Sequence, residues 1–359
     1  MRLVLEKRAE RSKAMVLLSP VLAVLLTVLV GGIIFALRGL DPLHALYIYF
    51  VEPLTARWSI EALLVKAAPL VLIGAGLAVC FRANVWNIGA EGQFVFGALL
   101  GGLVPVYFTT WQSPLTLASM LLLGVLGGSM FAAIPAFLKN RFSANEILTS
   151  LMLVYVAQLF LDWLVRGPWR DPLGFNFPKS VTFEGWQLLP TISGSVHLGA
   201  VFAVLAVLGL AVLMGRTLKG FEVRVLGNAP RAGRFAGFSQ SRMVMFSFLL
   251  SGGLAGLAGI CEAMSTIGQL QPTMSPGYGF TAIIVAFLGR LNPVGVLVAG
   301  LMLALSYLGG EAAQVTLGIS DKIARVFQGI LLFFILACDT LILYRLRLSA
   351  SRPEQVARA

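Results

Sequence analysis

Long apolar stretches recur along the whole sequence, and they constrain the fold more than any other feature. Hydrophobic residues make up 58% of the 359 residues, charged residues only 12%, and the mean hydropathy is +0.88. A helix of about 20 apolar residues spans the hydrocarbon core of a bilayer. The sequence therefore predicts an all-α integral membrane protein. The predicted helices lie near residues 15–37, 60–80, 88–108, 115–138, 146–165, 196–215, 243–263, 279–289, 293–309 and 323–344.

The basic residues predict how these ten helices are oriented. Lys and Arg number 27 against 16 Asp and Glu, and basic residues concentrate in the cytoplasmic loops of membrane proteins. If ten helices cross and the N-terminus is cytoplasmic, most basic residues fall on the cytoplasmic side. Both termini are then cytoplasmic. The basic residues left outside are Arg38, Arg57, Arg166, Arg170, Lys179 and Lys322.

This orientation divides the chain into a basic N-terminus (1–14), a polytopic transmembrane domain (15–344) and a C-terminal tail (345–359). The two largest polar regions are a cytoplasmic loop at 216–242 and an external loop at 166–195. The external loop is rich in proline and aromatic residues. Two interpretations of it stay open, an aromatic cap at the headgroup level and a docking surface for an external partner.

Two helices are predicted to meet near Arg290–Pro293. A single kinked helix there would place the basic C-terminal residues outside, against the charge rule. The first of the two, at 279–289, is shorter than a full span, so we expect it to be buried by neighbours or to begin partway across the membrane.

A polar, glycine-rich run at 81–93 separates two apolar stretches and is a candidate element of a solute pathway. Backbone groups at membrane depth must be satisfied by protein or must line a wet cavity. Asn84, Asn87 and Gln93 could line the route, or they could satisfy the backbone groups that the glycines expose. Glu91 lies near the start of its helix, where it could orient the broken segment or act as a capping carboxylate.

The helix at 146–165 adds further pathway candidates. Tyr155 and Gln158 are three residues apart and share a helix face, and Asn145 precedes them. An aromatic ring beside an amide suits a planar base or a sugar ring, and a packed contact between helices is the alternative. The full predicted pathway set is Asn84, Asn87, Glu91, Gln93, Asn145, Tyr155 and Gln158.

The cytoplasmic loop predicts a short helix. Asn228 is a candidate N-cap, Pro230 suits the first turn and Gly237 suits the end. Such a helix either contacts a cytoplasmic partner or rests on anionic headgroups. In the span that follows, Gly252 and Gly256 fit the small-xxx-small pattern of close helix packing.

Four segments, in this order along the chain, resemble motifs of a known family. They are 87–93, 143–153, 225–233 and 251–259. Together they resemble permeases of ATP-binding-cassette importers of the nucleoside, simple sugar and branched-chain amino acid type, and most of all the nucleoside-type permeases. The resemblance spans about residues 60 to 310.

The resemblance implies a type II-like importer permease fold and several partners. These are a second permease subunit, a cytoplasmic ATP-binding-cassette ATPase, an external substrate-binding protein and membrane lipids, with no nucleic acid. The resemblance also implies a bacterial plasma (inner) membrane as the location. The segment 225–233 resembles the loop that couples to the ATPase. The residues predicted to form this coupling loop are Gly227, Asn228, Pro230, Arg231, Ala232, Arg234 and Gly237. No cofactor is implied for this chain, because ATP is bound by the partner subunit. The resemblance favours nucleosides as substrates, with simple sugars second. Nothing in the residues themselves distinguishes these two substrate classes.

The residues themselves are consistent with a transport subunit that is not an enzyme. The sequence contains no P-loop motif for ATP phosphates and no clustered metal ligands, so neither a catalytic nor a metal site is expected. The alternative is a secondary carrier that acts alone and is driven by an ion gradient. Such a carrier would need ionisable residues deep within its helices.

Overall fold

The computed structural model describes residues 2–7, 13–320 and 322–349. The chain is built mainly of α-helices and divides into two compact units. One unit contains residues 1–49 and 310–359, and the other contains residues 50–309.

The smaller unit joins the two ends of the chain. It contains strand β1 (Arg2–Lys7), helix α1 (Lys13–Leu37), most of α2 (Pro42–Phe50), the end of α12 (Pro293–Leu317), α13 (Lys322–Leu343) and strand β4 (Tyr344–Ser349). Helix α1 packs against α13, and β1 pairs with β4 in an antiparallel register. Because these strands are hydrogen-bonded, both ends of the described chain lie together.

The core of the smaller unit is aromatic. Phe327 stacks on Tyr49 with ring centroids 4.7 Å apart, and its centroid lies 5.6 Å from that of Phe35. All three rings are buried. Gly31 faces Phe327 so closely that a Cβ atom there would collide with the ring, so the contact between α1 and α13 depends on this glycine.

The larger unit contains most of the apolar helices and one small hairpin. Its elements are α3 (Arg57–Arg82), α4 (Ala90–Tyr107), α5 (Pro114–Phe142), α6 (Glu146–Arg166), β2 (Thr191–Ser193), β3 (Val196–His197), α7 (Leu198–Arg216), α8 (Leu218–Asn228), α9 (Pro230–Phe235), α10 (Gln240–Glu262), α11 (Tyr278–Leu288) and the first part of α12. Polar N-caps begin several of these helices. Ser113, Asn145, Thr217 and Ser239 each accept a hydrogen bond from a backbone N–H of the first turn.

Glycines bring α4, α5 and α10 into close contact at the centre of the larger unit. A Cβ atom at Gly256 would collide with the backbone of Gly124 and Gly128, and one at Gly97 would collide with Gly256 itself. The predicted small-residue packing of the span at 243–263 is confirmed. Backbones can approach this closely only where no side chain intervenes.

By length and composition, seven helices of the described chain could cross a membrane, namely α3, α4, α5, α6, α7, α10 and α12. Shorter apolar stretches at 21–37, 278–288 and 325–338 belong to α1, α11 and α13. Each predicted helix corresponds to one of these ten elements within a few residues, except that α12 continues to Leu317, beyond the predicted end at 309. The count of ten crossings stays a prediction.

Helices α11 and α12 are separate, as predicted. Arg290 and Leu291 both have left-handed backbone conformations, with φ of 55° and 54°, and these end α11. Helix α11 has only 11 residues and begins after Gly277, whose φ is 101°. Gly289 and Gly295 lie so close together that a side chain on either would collide with the other's backbone.

Three features were not predicted. Helices α2 and α8 were missed, and the all-α prediction did not include the two small antiparallel strand pairs, β1 with β4 and β2 with β3.

The prediction that Asn228 is an N-cap was wrong. Asn228 is the last residue of α8, its side-chain amide donates back to the carbonyl oxygen of Arg224 at 2.9 Å, and Ala229 precedes α9. Pro230 does occupy the first turn of α9, and Gly237 follows its end with φ of 86°.

Candidate functional site

The polar, glycine-rich run forms the junction between α3 and α4. Asn84 turns the chain there with a left-handed φ of 56°, a conformation that Asn adopts more readily than most residues. Its side chain is exposed and accepts a hydrogen bond from the indole N–H of Trp86 at 3.2 Å. The chain then turns inward, and Asn87 is fully buried.

Asn87 and Gln93 form a reciprocal pair of amides. Asn87 Nδ2 donates to Gln93 Oε1 and Gln93 Nε2 donates to Asn87 Oδ1, both at 2.9 Å. Asn87 Oδ1 also accepts from the backbone N–H of Gly89 at 3.0 Å, and its Nδ2 lies 3.2 Å from Ser251 Oγ. Because Gln93 is only 1% exposed, this network satisfies buried polar groups that water does not reach.

The same junction contacts α6. The backbone N–H of Ile88 donates to Ser150 Oγ at 3.2 Å, and a Cβ atom at Gly89 would lie 2.9 Å from the Ser150 backbone oxygen. One turn on, a Cβ atom at Gly92 would lie 2.9 Å from the Cα of Val154. The glycines at 89 and 92 are therefore required for close approach, so α4 can begin directly against α6.

Glu91 links α4 to the start of the short helix α11. It is 1% exposed, and its Oε2 accepts a hydrogen bond from the backbone N–H of Gly279 at 2.6 Å. The first N–H groups of a helix have no partner within it, and a carboxylate there is favoured by the helix dipole. Glu91 therefore acts as a capping carboxylate, but for a helix about 190 residues further along the chain.

The remaining predicted pathway residues lie on exposed surface. Asn145 caps α6 by accepting hydrogen bonds from Ile147 N at 2.9 Å and Leu148 N at 3.4 Å. Tyr155 and Gln158 are exposed, the former by 55%, so their side chains face lipid or another subunit. The structure thus brings Asn87, Glu91 and Gln93 together and keeps Asn84, Asn145, Tyr155 and Gln158 apart from them. The assignment of these residues to a solute pathway stays a prediction.

Two partners of the buried network, Ser150 and Ser251, were not among the predicted site residues. Both lie within segments that carry the family resemblance, at 143–153 and 251–259. Their spacing to Asn87 along the chain carries no signal, because the contacts are formed only when α6 and α10 pack on the junction. Three of the four resembling segments therefore meet at residues 87–89.

The fourth resembling segment lies at the other side of the same junction. A Cβ atom at Gly227, near the end of α8, would collide with the backbone oxygen of Arg82, the last residue of α3. Gly233 of α9 packs on the side chain of Leu226, which is buried; a Cβ atom at Gly233 would lie 2.6 Å from Leu226 Cδ2. Helices α8 and α9 are thereby packed as one piece against the end of α3.

Helix α9 projects its charged and aromatic residues away from the rest of the larger unit. Arg231, Ala232 and Arg234 are exposed, and Phe235 is 94% exposed. A fully exposed phenylalanine flanked by two arginines has the composition of a protein contact surface, in which aromatic residues and arginine are enriched.

Comparisons with known proteins fit this arrangement. The model of a family described as "Branched-chain amino acid transport system / permease component" matches residues 59–336. The chain belongs to this permease family. It is therefore a multi-pass membrane protein and a transport subunit, and it is not itself an enzyme.

Individual relatives are similar over nearly the whole chain. The glucose ABC transporter permease protein TsgB13 of Haloferax volcanii is 37% identical over 95% of this chain and 92% of its own length. The nucleoside ABC transporter permease protein NupB of Lactococcus lactis is 25% identical over 90% and 92%. Among solved structures, an inward-facing metal-chelate type ABC transporter covers 91% of this chain and 99% of its own, with a TM-score of 0.46 and 17% identity.

Proposed function

We propose that this chain is the membrane-spanning subunit of an ATP-driven importer for a small polar solute, either a nucleoside or a simple sugar. A separate cytoplasmic ATPase supplies the energy, an external binding protein delivers the solute, and a second permease subunit completes the pathway. The family match and the names of both relatives support the importer. The relatives' names include both solute classes, and nucleosides were the first expectation from the resembling segments.

The contact between Gly227 and the end of α3 carries this proposal, because it supplies a route for mechanical coupling. Helix α9 offers Phe235 and two arginines to a partner, and α8 packs directly on Arg82. The following residues, 83–93, form the junction that holds Asn87 and Glu91. A displacement of α9 is thereby transmitted to the start of α4 and, through Glu91, to the start of α11.

The proposal also includes ten membrane crossings with both termini cytoplasmic. The pairing of β1 with β4 supports the location of both termini on one side of the membrane.

Replacing residues 227–232 with a flexible Gly-Ser linker tests the coupling in the assembled importer. We expect solute uptake into proteoliposomes to be abolished while membrane insertion and folding are unchanged. Full transport by this variant would contradict the assignment of the coupling segment.

Two point variants separate docking from transmission. Phe235→Ser removes the exposed aromatic and should weaken association with the ATPase, whereas Phe175→Ser alters an equally exposed phenylalanine (92%) in the external loop and should not. Gly227→Val should leave association intact and uncouple ATP hydrolysis from uptake, because the added side chain displaces α8 from Arg82. Gly215→Ala is its control, since a Cβ atom at Gly215 would meet no atom within 4 Å.

A further inference from the structure

A cavity of about 510 Å³ lies within the larger unit, far from the coupling helices. Its walls are formed by the first turns of α3, the hairpin β2–β3, the end of α10 and the start of α11. Lys66, the wall residue of α3 nearest to Arg82, is separated from it by 16 residues, or roughly 24 Å at the helical rise. By the charge rule, this end of the unit faces outward. The volume falls in the range of about 300–1,000 Å³ that is typical of small-molecule sites.

The cavity contains an amine and a carboxyl group. Lys66 and Glu262 both line it. Glu262 is only 6% exposed. Ionisable groups within membrane helices are costly, and where they persist they commonly belong to functional sites.

Among the described residues, His197 adds a buried donor that has no acceptor. The residue lines the cavity and is 3% exposed. Its Nδ1 accepts a hydrogen bond from the backbone N–H of Gly199 at 3.1 Å, so the proton of the neutral ring is on Nε2. Burial lowers the pKa of His197, which favours the neutral ring. Nε2 has no hydrogen-bond partner among the described residues, an arrangement that costs free energy unless a ligand supplies the acceptor.

The walls of the cavity are held in place. The backbone N–H of Leu189 donates to Met264 O at 2.9 Å, and that of Ser195 donates to Glu61 Oε2 at 3.2 Å. The end of α10 widens into a π-helical turn at Ala263–Ile267. Such turns are rare and occur frequently at functional sites.

We propose that this cavity is a binding site for a small neutral solute that carries neighbouring hydroxyl groups. A hydroxyl is both a donor and an acceptor. The Glu262 carboxylate accepts from two adjacent hydroxyls, and His197 Nε2 and the Lys66 ammonium donate to their oxygens. The ring of Tyr278, which lines the cavity, provides an apolar wall for the carbon face of a sugar or ribose. This inference rests on the proposed function and deepens it, since both nucleosides and simple sugars carry such hydroxyls.

Direct binding to the full-length chain in lipid nanodiscs tests the site. Radiolabelled adenosine and D-glucose are the probes, and 2′,3′-dideoxyadenosine, which lacks the ribose diol, is the competitor. We expect saturable binding of at least one probe. Where adenosine binds, the dideoxy analogue should compete at least about tenfold more weakly, the effect of losing hydrogen bonds to a charged group. Absence of saturable binding of both probes, or equal competition by the dideoxy analogue, would overturn the proposal.

Three variants locate the binding in this cavity. Glu262→Gln keeps the shape and removes the charge, and it should weaken binding about tenfold or more. His197→Asn keeps an acceptor for the Gly199 N–H, because Asn is a good N-cap, but it removes the Nε2 donor and should weaken binding several-fold. Ala62→Phe fills the cavity without replacing Glu262 or His197. It therefore tests the site if either polar variant fails to fold. Glu52→Gln, at an exposed position that does not line the cavity, is the matched control and should bind as wild type does.

The same variants in the assembled importer distinguish failure of the site from failure of the proposed function. If wild type takes up solute with ATP and Glu262→Gln and Ala62→Phe do so with unchanged KM, the site is wrong and the importer stands. If wild type shows no ATP-dependent uptake, the proposed function fails, and the nanodisc measurement alone decides whether the cavity binds a hydroxylated solute.

Discussion

The reciprocal amides of Asn87 and Gln93 give a prediction whose magnitude follows from the hydrogen bonds. Replacing Asn87 with Leu keeps the volume and removes every partner of the Gln93 side chain in the network. The Gly89 N–H also loses its acceptor. Three buried polar groups are then unsatisfied at a cost of about 1 kcal/mol or more each, so Asn87→Leu should lower the free energy of unfolding by about 3 kcal/mol.

The second single variant and the double variant make the prediction specific. Gln93→Met removes two of the hydrogen bonds of Asn87 but leaves those with Gly89 and Ser251, so it should cost about 2 kcal/mol. In the double variant no amide remains to be orphaned. The double variant should therefore lose no more free energy of unfolding than Asn87→Leu alone. This loss is about 2 kcal/mol smaller than the sum of the losses of the two single variants.

Unfolding in mixed micelles of SDS and mild detergent, followed by tryptophan fluorescence, measures these free energies. Additive losses in the double variant would show that the two side chains do not satisfy each other. A loss below about 0.5 kcal/mol for Asn87→Leu, within the range of ordinary surface substitutions, would refute the buried network itself.

Two further predictions concern packing and the external loop. Gly256→Val should prevent stable packing of α5 against α10, because its Cβ would collide with the α5 backbone. Gly209→Ala should be tolerated, because no atom lies within 4 Å of the added Cβ. Yield and monodispersity after detergent extraction measure the effect of both variants. The backbone N–H of Leu173 and the Lys179 ammonium lower the pKa of Asp171. A lowered folded-state pKa stabilises the loop at pH values above the unfolded pKa of about 3.9, and that contribution is lost as pH falls through the folded value. Hydrogen exchange of residues 171–179, corrected for its intrinsic pH dependence, should therefore accelerate below about pH 4. At pH 7 these residues should exchange faster in Asp171→Asn than in wild type. Equal exchange rates at pH 7 would show that ionised Asp171 does not stabilise the loop.

Apolar length and glycine spacing made much of the fold predictable. The spans near 60–80 and 146–165 are α3 and α6 within a few residues, because a bilayer leaves a long apolar segment few options other than a helix. The packing face at Gly252 and Gly256 followed from small residues one turn apart. Helix α8 was missed because the cytoplasmic loop was interpreted from its glycines and prolines, although Thr217 is a good N-cap and Val223 and Leu226 bury one face.

The candidate site was only partly predictable. Asn87, Glu91 and Gln93 stand out because polar residues between apolar spans are conspicuous. Their partners Ser251 and Gly279 do not, since a serine or glycine within a helix has no distinctive pattern. Likewise, the residues of the cavity are scattered from Ala62 to Tyr278, and only the packing of α3, the hairpin β2–β3, α10 and α11 brings them together.

Identification of the companions of this chain tests its proposed role most directly. The C-terminally tagged protein is extracted from its native membrane in mild detergent, and stoichiometric partners are identified by mass spectrometry. We expect a second permease subunit and an ATPase with a P-loop to co-purify with the chain. Replacing Phe235 with Ser should reduce the recovery of the ATPase and leave that of the second permease subunit unchanged. A chain that purifies alone and transports solute in liposomes under an ion gradient, without ATP, would contradict the importer.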